Sequence, residues 1–378
     1  MSPPAVVCLV RNRSSILRVP SLSDDTTPWG SIAAVGTTDP DVVFEGLPSI
    51  GSIATLVRRG EPREVDRGPT GGPATLHPYL YECPHREPLA DGVGEWVSPA
   101  PARRSPDTSW VWKAYERVWP TPETIAADET HGASYLSCRA LEVLRDRAGA
   151  GADWDELVAI AKRLRTVRPS MAVVTNRIDR VMSANGTVMS VIDEEIERAH
   201  SLVDRVARTA SAHIEAEDIM TLSRSGTVRS CLERCDGSIY VLESRPGGEG
   251  SEVAATLDAT VLPDAAGAHA LATSVDAVVV GADTIYPDGS IENKLGTRGI
   301  AIAATYESVP VYVVATSDKV TSASPPAGDT SLARDAVPAF DHTPADCVRI
   351  LTESGERSPT EIKSIADRQA KRAAWHED

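Results

Sequence analysis

Apolar and polar positions fall into three textures along the chain. Residues 1 to about 99 carry short β-type runs, AVVCLV, SILRV, SIAAVG, SIATLVRR, ATLHPYLYE and GEWVSP, punctuated by Gly and Pro clusters such as RGPTGGP. Runs of this length between turn residues predict a small mixed sheet. A Pro-rich joint, SPAPARRSP, follows, and then SWVWKAYERVWP, in which Trp110, Ala114 and Val118 share a helical face. From Thr121 the period lengthens, with apolar residues at i, i+3, i+4 and i+7 and Gly or Pro at the breaks, which predicts a helical subdomain over 121–215. After Glu217 the Val/Ile-rich runs DIMTLS, SIYVLES, ATVLP, DAVVVGA and VPVYVVAT alternate with helix-length segments such as GTVRSCLERC and TRGIAIAATYES. Buried parallel strands have this texture, so 216–378 is expected to be a doubly wound, Rossmann-like α/β sheet. The expected division is therefore 1–120, 121–215 and 216–378.

In doubly wound sheets, ligands bind beyond the carboxyl ends of the strands. TLSRSGT, ESRPGGEG, GADTIYPDG and ATSDK all fall at such ends. Asp283 closes a buried strand, where a carboxylate is costly unless it is paired or its pKa is shifted; it is either an acid/base group or a turn residue satisfying local amides. Asn293 and Lys294 precede LGTRG and a helical pattern, and a Lys beside helix-opening amides suits a phosphate or another anion. Lys319 ends a further strand and is one of only six lysines, which marks it as a candidate functional cation. Ser223 and Ser225 could bind phosphate or cap the next helix. Neither lies in a GxSxG elbow, so serine-hydrolase chemistry is not expected.

Composition narrows the classes of partner. A formal net charge of −16 repels phosphate backbones, which argues against direct nucleic-acid binding and leaves room for local pockets that take small anions. The acidic, Lys-poor balance with two Phe resembles that of salt-adapted proteins. No apolar run approaches the ~18 residues of a membrane span, and MSPPAVVCLVRNR lacks the order of a signal peptide, so a cytoplasmic protein is expected. The six cysteines form no CxxC and no His stands at ligand spacing, so neither a metal nor another cofactor is expected. Cys231 and Cys235, four apart, read as core residues on one helix face.

Taken together, GAD, DGSIENKLGT, the strand ending in Lys319 and FDHTPADCVRILTESG resemble the family that unites translation initiation factor 2B regulatory subunits with methylthioribose-1-phosphate and ribose-1,5-bisphosphate isomerases. HGAS, RPSMAVVTN, TLSRSGTV and ESRPGGEG fit the same pattern in the same order, and the resemblance covers about 121–365. In its isomerases a Cys and an Asp act as an acid/base pair that converts a phosphorylated aldose into a ketose. The resemblance implies that Asp283 is that Asp, and that Ser223 stands where the Cys would be. A thiol of pKa ~8.5 can be tuned towards neutrality, whereas an alkoxide needs a dedicated base. The resemblance further implies phosphate and ligand contacts at His131 (replacing an Arg), Gly132, Ala133, Ser134, Arg168, Asn293, Lys294 and Lys319. A homo-oligomer is implied in the same way, with a translation-factor partner as a further option.

The front third is similar to Nudix modules, in particular those fused before this family in salt-loving archaea. VVCLVRNRSSILRV, PWGSIAAVG, LVRRGEP, HPYLYEC and GEWVSP carry that likeness. A catalytic Nudix box clusters carboxylates around Mg²⁺, yet Arg63-Glu64 here is followed by Val65-Asp66-Arg67-Gly68. The expected reading is a degenerate α+β Nudix-like domain ahead of a sugar-phosphate- or nucleotide-binding regulatory protein without isomerase or Nudix hydrolase activity. The alternative is an aldose–ketose isomerase acting on a phosphorylated pentose.

Overall fold

The computed structural model describes residues 2–19, 29, 32–83, 94–103, 106–129, 131–325 and 339–376. Of the runs singled out above, Met1 of MSPPAVVCLVRNR, Pro28, Gly30 and Ser31 of PWGSIAAVG, and Arg104 and Ser105 of the Pro-rich joint lie outside the described residues, as does Thr130 ahead of HGAS. The chain divides into two compact units, 1–121 with 146–153, and 122–145 with 154–378.

The first unit contains β1 (Pro4–Asn12), β2 (Ser15–Arg18), β3 (Ala33–Val35), α1 (Asp41–Glu45), α2 (Pro48–Gly51), β4 (Thr55–Arg59), β5 (Arg63–Val65), β6 (Ala74–Glu82), β7 (Glu95–Val97) and α3 (Ser109–Tyr115). The sheet runs β4-β6-β1-β2-β7, with β3 also on β1 and β5 also on β6. It is mixed, because β1 and β6 are parallel while the other pairs are antiparallel. Ala5 to Val10 are all fully buried, which explains why β1 reads as a continuous apolar run rather than an alternation. Trp110, Val111, Trp112 and Tyr115 of α3 complete this core.

The second unit begins with helices: α4 (Pro122–Ala126), α5 (Ala133–Gly149), α6 (Trp154–Leu164), α7 (Ala172–Met182) and α8 (Val188–Ser211). Then come β8 (Asp218–Thr221), α9 (Gly226–Leu232), β9 (Ser238–Leu242), α10 (Gly250–Leu257), β10 (Thr260–Leu262), α11 (Gly267–Thr273), β11 (Ala277–Val280), β12 (Thr284–Ile285), β13 (Ile291–Lys294), α12 (Thr297–Glu307), β14 (Val311–Val314), β15 (Phe340–Thr343), β16 (Arg349–Thr352), β17 (Gly355–Arg357) and α13 (Pro359–Ala373). The main sheet is ordered β10-β9-β8-β11-β14-β16-β17. All neighbours are parallel except β17, which returns antiparallel to β16. Numbered along the chain, its six parallel strands stand 3-2-1-4-5-6, the doubly wound order that reverses between its first and fourth strands. Here that reversal lies between β8 and β11.

Val278, Val279 and Val280 of β11 are fully buried, as a central parallel strand covered on both faces requires. At α13, Ser358 accepts from Glu361 N while Glu361 Oε2 accepts from Ser358 N at 2.9 Å, a capping box with Pro359 in the first turn. A three-stranded antiparallel sheet, β12-β13-β15, places Asn293 and Lys294 at the end of a strand. Its strands are too short for an alternating pattern to reveal them.

Candidate functional site

The strand order reverses between β8 and β11, and the loops leaving these strands carry Ser223 and Asp283. Ser225 caps α9, accepting from Val228 N at 3.4 Å. The two loops approach so closely that a Cβ on Gly281 would stand 3.1 Å from Ser225 Oγ. A side chain at Gly281 would press on the Ser225 cap and oblige it to shift.

Ser223 and Ser244 both have φ of 64°, in the left-handed region that costs a non-glycine residue on the order of 1–2 kcal/mol. The loops hold each other there: Ser223 N donates to Ser244 Oγ at 2.7 Å, and Ser244 Oγ donates to Leu242 O at 3.0 Å. Asp264 accepts from Ser244 N and Arg245 N at 2.8 and 2.7 Å, which anchors the ESRPGGEG loop.

Glu249 is the junction of the site. Its Oε1 accepts from Ser223 Oγ at 3.0 Å and from Lys294 Nζ at 2.9 Å. Burial by itself would raise this carboxyl; the bonds from Lys294, from its own backbone amide and from Ser223 outweigh burial and hold it below the usual carboxylate range. The loop passes the pair at Gly247, where a Cβ would meet Glu249 Oε2 at 2.2 Å and Lys294 Nζ at 3.1 Å. Asn293 Nδ2 donates to Thr297 Oγ1 at 2.9 Å, and Thr297 Oγ1 donates to Lys294 O at 2.6 Å, fixing both residues against the first turn of α12.

Asp283 faces Lys319, Lys294 and Glu292. Burial raises its carboxyl, the two lysines lower it and Glu292 raises it, with a net upward shift. Burial pulls Lys319 down, Asp283 pushes it up and Arg177 adds a downward push, with a net downward shift. Lys319 Nζ donates to the carbonyl of Ala282, beside Asp283. Asp283 and Lys319 thus stand as an acid with a raised pKa beside an amine with a lowered one.

Thr284 Oγ1 donates to Ser170 O at 2.7 Å and accepts from Ala172 N at 3.3 Å, which brings the RPSM loop against the GAD loop. Within RPSM, Arg168 donates from Nε to Ile125 O at 3.0 Å and from Nη2 to Asp128 O. In this state it clamps the chain ahead of His131. His131 Nδ1 lies 2.8 Å from Asp128 Oδ2, and its ring stacks on Tyr135 with centroids 3.9 Å apart. Gly132 neighbours the Arg224 carbonyl, 3.8 Å from where a Cβ would be, so the HGAS loop borders the Ser223 loop. Ala133 and Ser134 open α5.

The Lys319 loop is held from behind. Asn176 Nδ2 donates to Asp318 O and Val320 O at 2.7 Å, and the fully buried Asp318 carboxylate accepts from Arg177, Arg180 and Arg198. Beside Ser244, a cavity of about 420 Å³ is lined by Leu222, Leu242, Arg245, Leu295 and Ile300. It adds an apolar wall to a polar site.

Of the residues expected at a site, Ser223, Asp283, Lys294 and Lys319 lie on loops and strand ends around the switch point, whereas Arg168 and His131 are bonded to the chain around Asp128. Sequence reasoning missed Glu249, Ser244 and Asp318. ESRPGGEG was visible as a strand end, but nothing in its spacing showed that Glu249 would reach Ser223 and Lys294.

The fold and site define a Rossmann-like α/β protein with an acid and two lysines gathered where the strand order reverses. The chain belongs to the Initiation factor 2 subunit family, which matches residues 129–359. It is 30% identical over 298 residues to a ribose 1,5-bisphosphate isomerase of Haloferax volcanii, covering 66% of this chain and 91% of that one. It is 29% identical over 264 residues to a methylthioribose-1-phosphate isomerase of a Picosynechococcus species, covering 55% and 76%. Among solved structures, the translation initiation factor eIF-2B of Pyrococcus horikoshii superposes with a TM-score of 0.57 at 26% identity, over 65% of this chain and 98% of that one. Isomerases and initiation-factor subunits both stand among its relatives. Residues 1–128 lie outside the family match.

Proposed function

We propose that this protein is an initiation factor 2B-like regulatory protein that binds a sugar phosphate or nucleotide at the β8/β11 switch point and does not isomerise it. One observation carries the reading: the hydroxyl of Ser223 donates to Glu249, a carboxylate held below its usual range by Lys294. A base so weakened is a poor one for raising an alkoxide on Ser223, so the serine does not supply the second half of an acid/base pair with Asp283. The ligand would set its phosphate against Lys294, Asn293 and the HGAS loop, and its sugar hydroxyls towards Asp283 and Lys319. A thermal-shift panel of sugar phosphates and nucleoside monophosphates tests this, since a ligand at 100 times its Kd stabilises by ~2.7 kcal/mol. No shift with any of them would remove the reading.

The second reading, an aldose–ketose isomerase of a phosphorylated pentose, is favoured by the raised carboxyl of Asp283 and by the likeness to the Haloferax volcanii isomerase. Turnover of ribose 1,5-bisphosphate that depends on Asp283 would establish it in place of the first.

For the first unit the proposal is a Nudix-type scaffold used for packing or recognition. The stretch where clustered box carboxylates would fall forms α1 and α2, of five and four residues, and Glu64 lies on β5. Mg²⁺-dependent release of phosphate or nucleoside monophosphate from nucleoside diphosphate derivatives would refute it. A cytoplasmic homo-oligomer is proposed for the whole chain; among the described residues no helix is long and apolar enough to cross a membrane. Sedimentation at several protein concentrations tests the assembly, and a monomer throughout would contradict it.

A further inference from the structure

A second concentration of positive charge lies on the far side of the Lys319 loop. A cavity of about 260 Å³ is lined by Arg180 of α7, Arg198 of α8, Ser317 of the loop, and Arg368, Gln369 and Arg372 of α13. In a chain with a net charge of −16 and six lysines, four guanidiniums around one cavity call for an explanation.

Part of that charge is neutralised from beneath. Arg180 donates to Glu195 Oε1 at 2.5 Å and to Asp318 Oδ1 at 2.7 Å. Arg198 donates to Glu195 Oε2 at 2.7 Å and to Asp318 Oδ2 at 2.6 Å. The fully buried Arg177 shares the same Asp318, so these two carboxylates already serve three guanidiniums. Burial pushes the Glu195 carboxyl up to about 7 against the pull of Arg180. Glu353 is turned to the loop backbone, accepting from Ser317 N at 3.0 Å and from Ser317 Oγ.

Among the described residues neither arginine of α13 bonds a carboxylate, since Glu361 and Asp367 of that helix pair with Arg357 and Lys363. Arg368 donates to Ser364 Oγ at 3.0 Å and Arg372 to Gln369 Oε1 at 3.3 Å, both neutral acceptors. Burial first, and then the neighbouring Arg180, lower the pKa of Arg372 against the upward pull of Asp318 and Glu195. Arg198 Nη1, Arg368 Nη2 and Arg372 Nη2 make no hydrogen bond among the described residues. Gln369 is 4% exposed, and its amide nitrogen also makes none. Arg180 and Arg198 are fixed in place by their carboxylates, so their remaining donors are preorganised. Planar forks of this kind match the oxygens of a phosphate.

We propose that this cavity is an anion site for a phosphate-bearing small molecule, separate from the switch-point site. An anion here would neutralise the excess charge of Arg368 and Arg372 while leaving Asp318 to anchor the Lys319 loop. The proposal does not rest on the ligand assigned to the first site.

The test is isothermal titration with pyrophosphate and, in a parallel arm, citrate. It is run on the Lys294→Met protein, so that the switch-point site contributes least. Pyrophosphate is expected to bind, and Arg368→Gln with Arg372→Gln to abolish that binding. Arg368 is exposed and bonds only within its own helix, so the single Arg368→Gln change leaves the fold intact; it is expected to weaken pyrophosphate about tenfold. Circular dichroism checks that each variant remains folded. Absence of pyrophosphate binding, or binding unchanged by the folded arginine variants, would overturn the site. Citrate binding as tightly as pyrophosphate would overturn its assignment to phosphates.

Discussion

Glu249 Oε1 lies 2.9 Å from Lys294 Nζ, so the lysine that the family resemblance marks as an anion contact already carries a counter-ion from its own chain. The carboxylate is a built-in competitor for the ligand's negative charge, and it also occupies the hydroxyl of Ser223.

Removing that competitor should tighten binding of an anionic ligand. Glu249→Gln keeps the shape of the side chain and frees Lys294 to meet a phosphate. The expected effect is about tenfold stronger binding of a sugar phosphate by titration, the scale of one charge-assisted hydrogen bond. Unchanged or weaker binding would show that Lys294 faces the ligand only through Glu249.

Ser223→Cys supplies a group that can be tuned to ionise near neutrality, in a backbone conformation that a Cys adopts at the same cost as a Ser. Ribulose 1,5-bisphosphate is expected to appear when this variant is given ribose 1,5-bisphosphate, and to disappear again on adding Asp283→Asn. A folded Ser223→Cys protein without product would mean that the site lacks more than a thiol.

Asp283 should leave a mark on stability as a function of pH. Its folded-state pKa is raised, so the folded protein binds this proton more tightly than the unfolded chain does. The contribution is fully present below the ordinary carboxylate value near 3.9, and it is lost as pH rises through the raised value. Lys319, Lys294 and Glu292 are the charges facing it, and their effect is already included in the net upward direction. Asp283→Asn, which resembles the protonated form, is expected to be more stable than the parent at pH 7 and to flatten the decline above pH 4 in denaturant titrations. Equal stability at pH 7 would place the carboxyl at an ordinary pKa.

Asp318 accepts from three arginines while almost fully buried, and its neighbour Lys319 reaches into the site. Asp318→Ala leaves those guanidiniums without their counter-charge, which should cost about 3–5 kcal/mol in chemical denaturation. A loss below about 1 kcal/mol would show that water reaches the cluster freely.

The main sheet was legible because buried parallel strands are continuous apolar runs: AVVV of β11 and VYVV of β14 can be read without any partner. The strand-end loops followed from it, and Ser225 caps its helix as its position suggested. The antiparallel trio β12-β13-β15 was not legible, since strands of two and four residues carry no period. Arg168 illustrates a different limit. The resemblance marks it as a ligand contact, while the fold directs two of its donors to the carbonyls of Ile125 and Asp128. Glu249 illustrates a third, because its contact with Lys294 joins residues 45 apart in sequence through two loops, and such pairing is written only in the tertiary structure.

The switch-point site is proposed to bind a phosphorylated sugar without isomerising it. The most direct measurement presents ribose 1,5-bisphosphate to the purified protein, recording the heat of binding and assaying the same sample for ribulose 1,5-bisphosphate. Saturable binding, weakened by Lys294→Met, with no product above the protein-free control is the expected result. Product formation that is abolished by Asp283→Asn would contradict it.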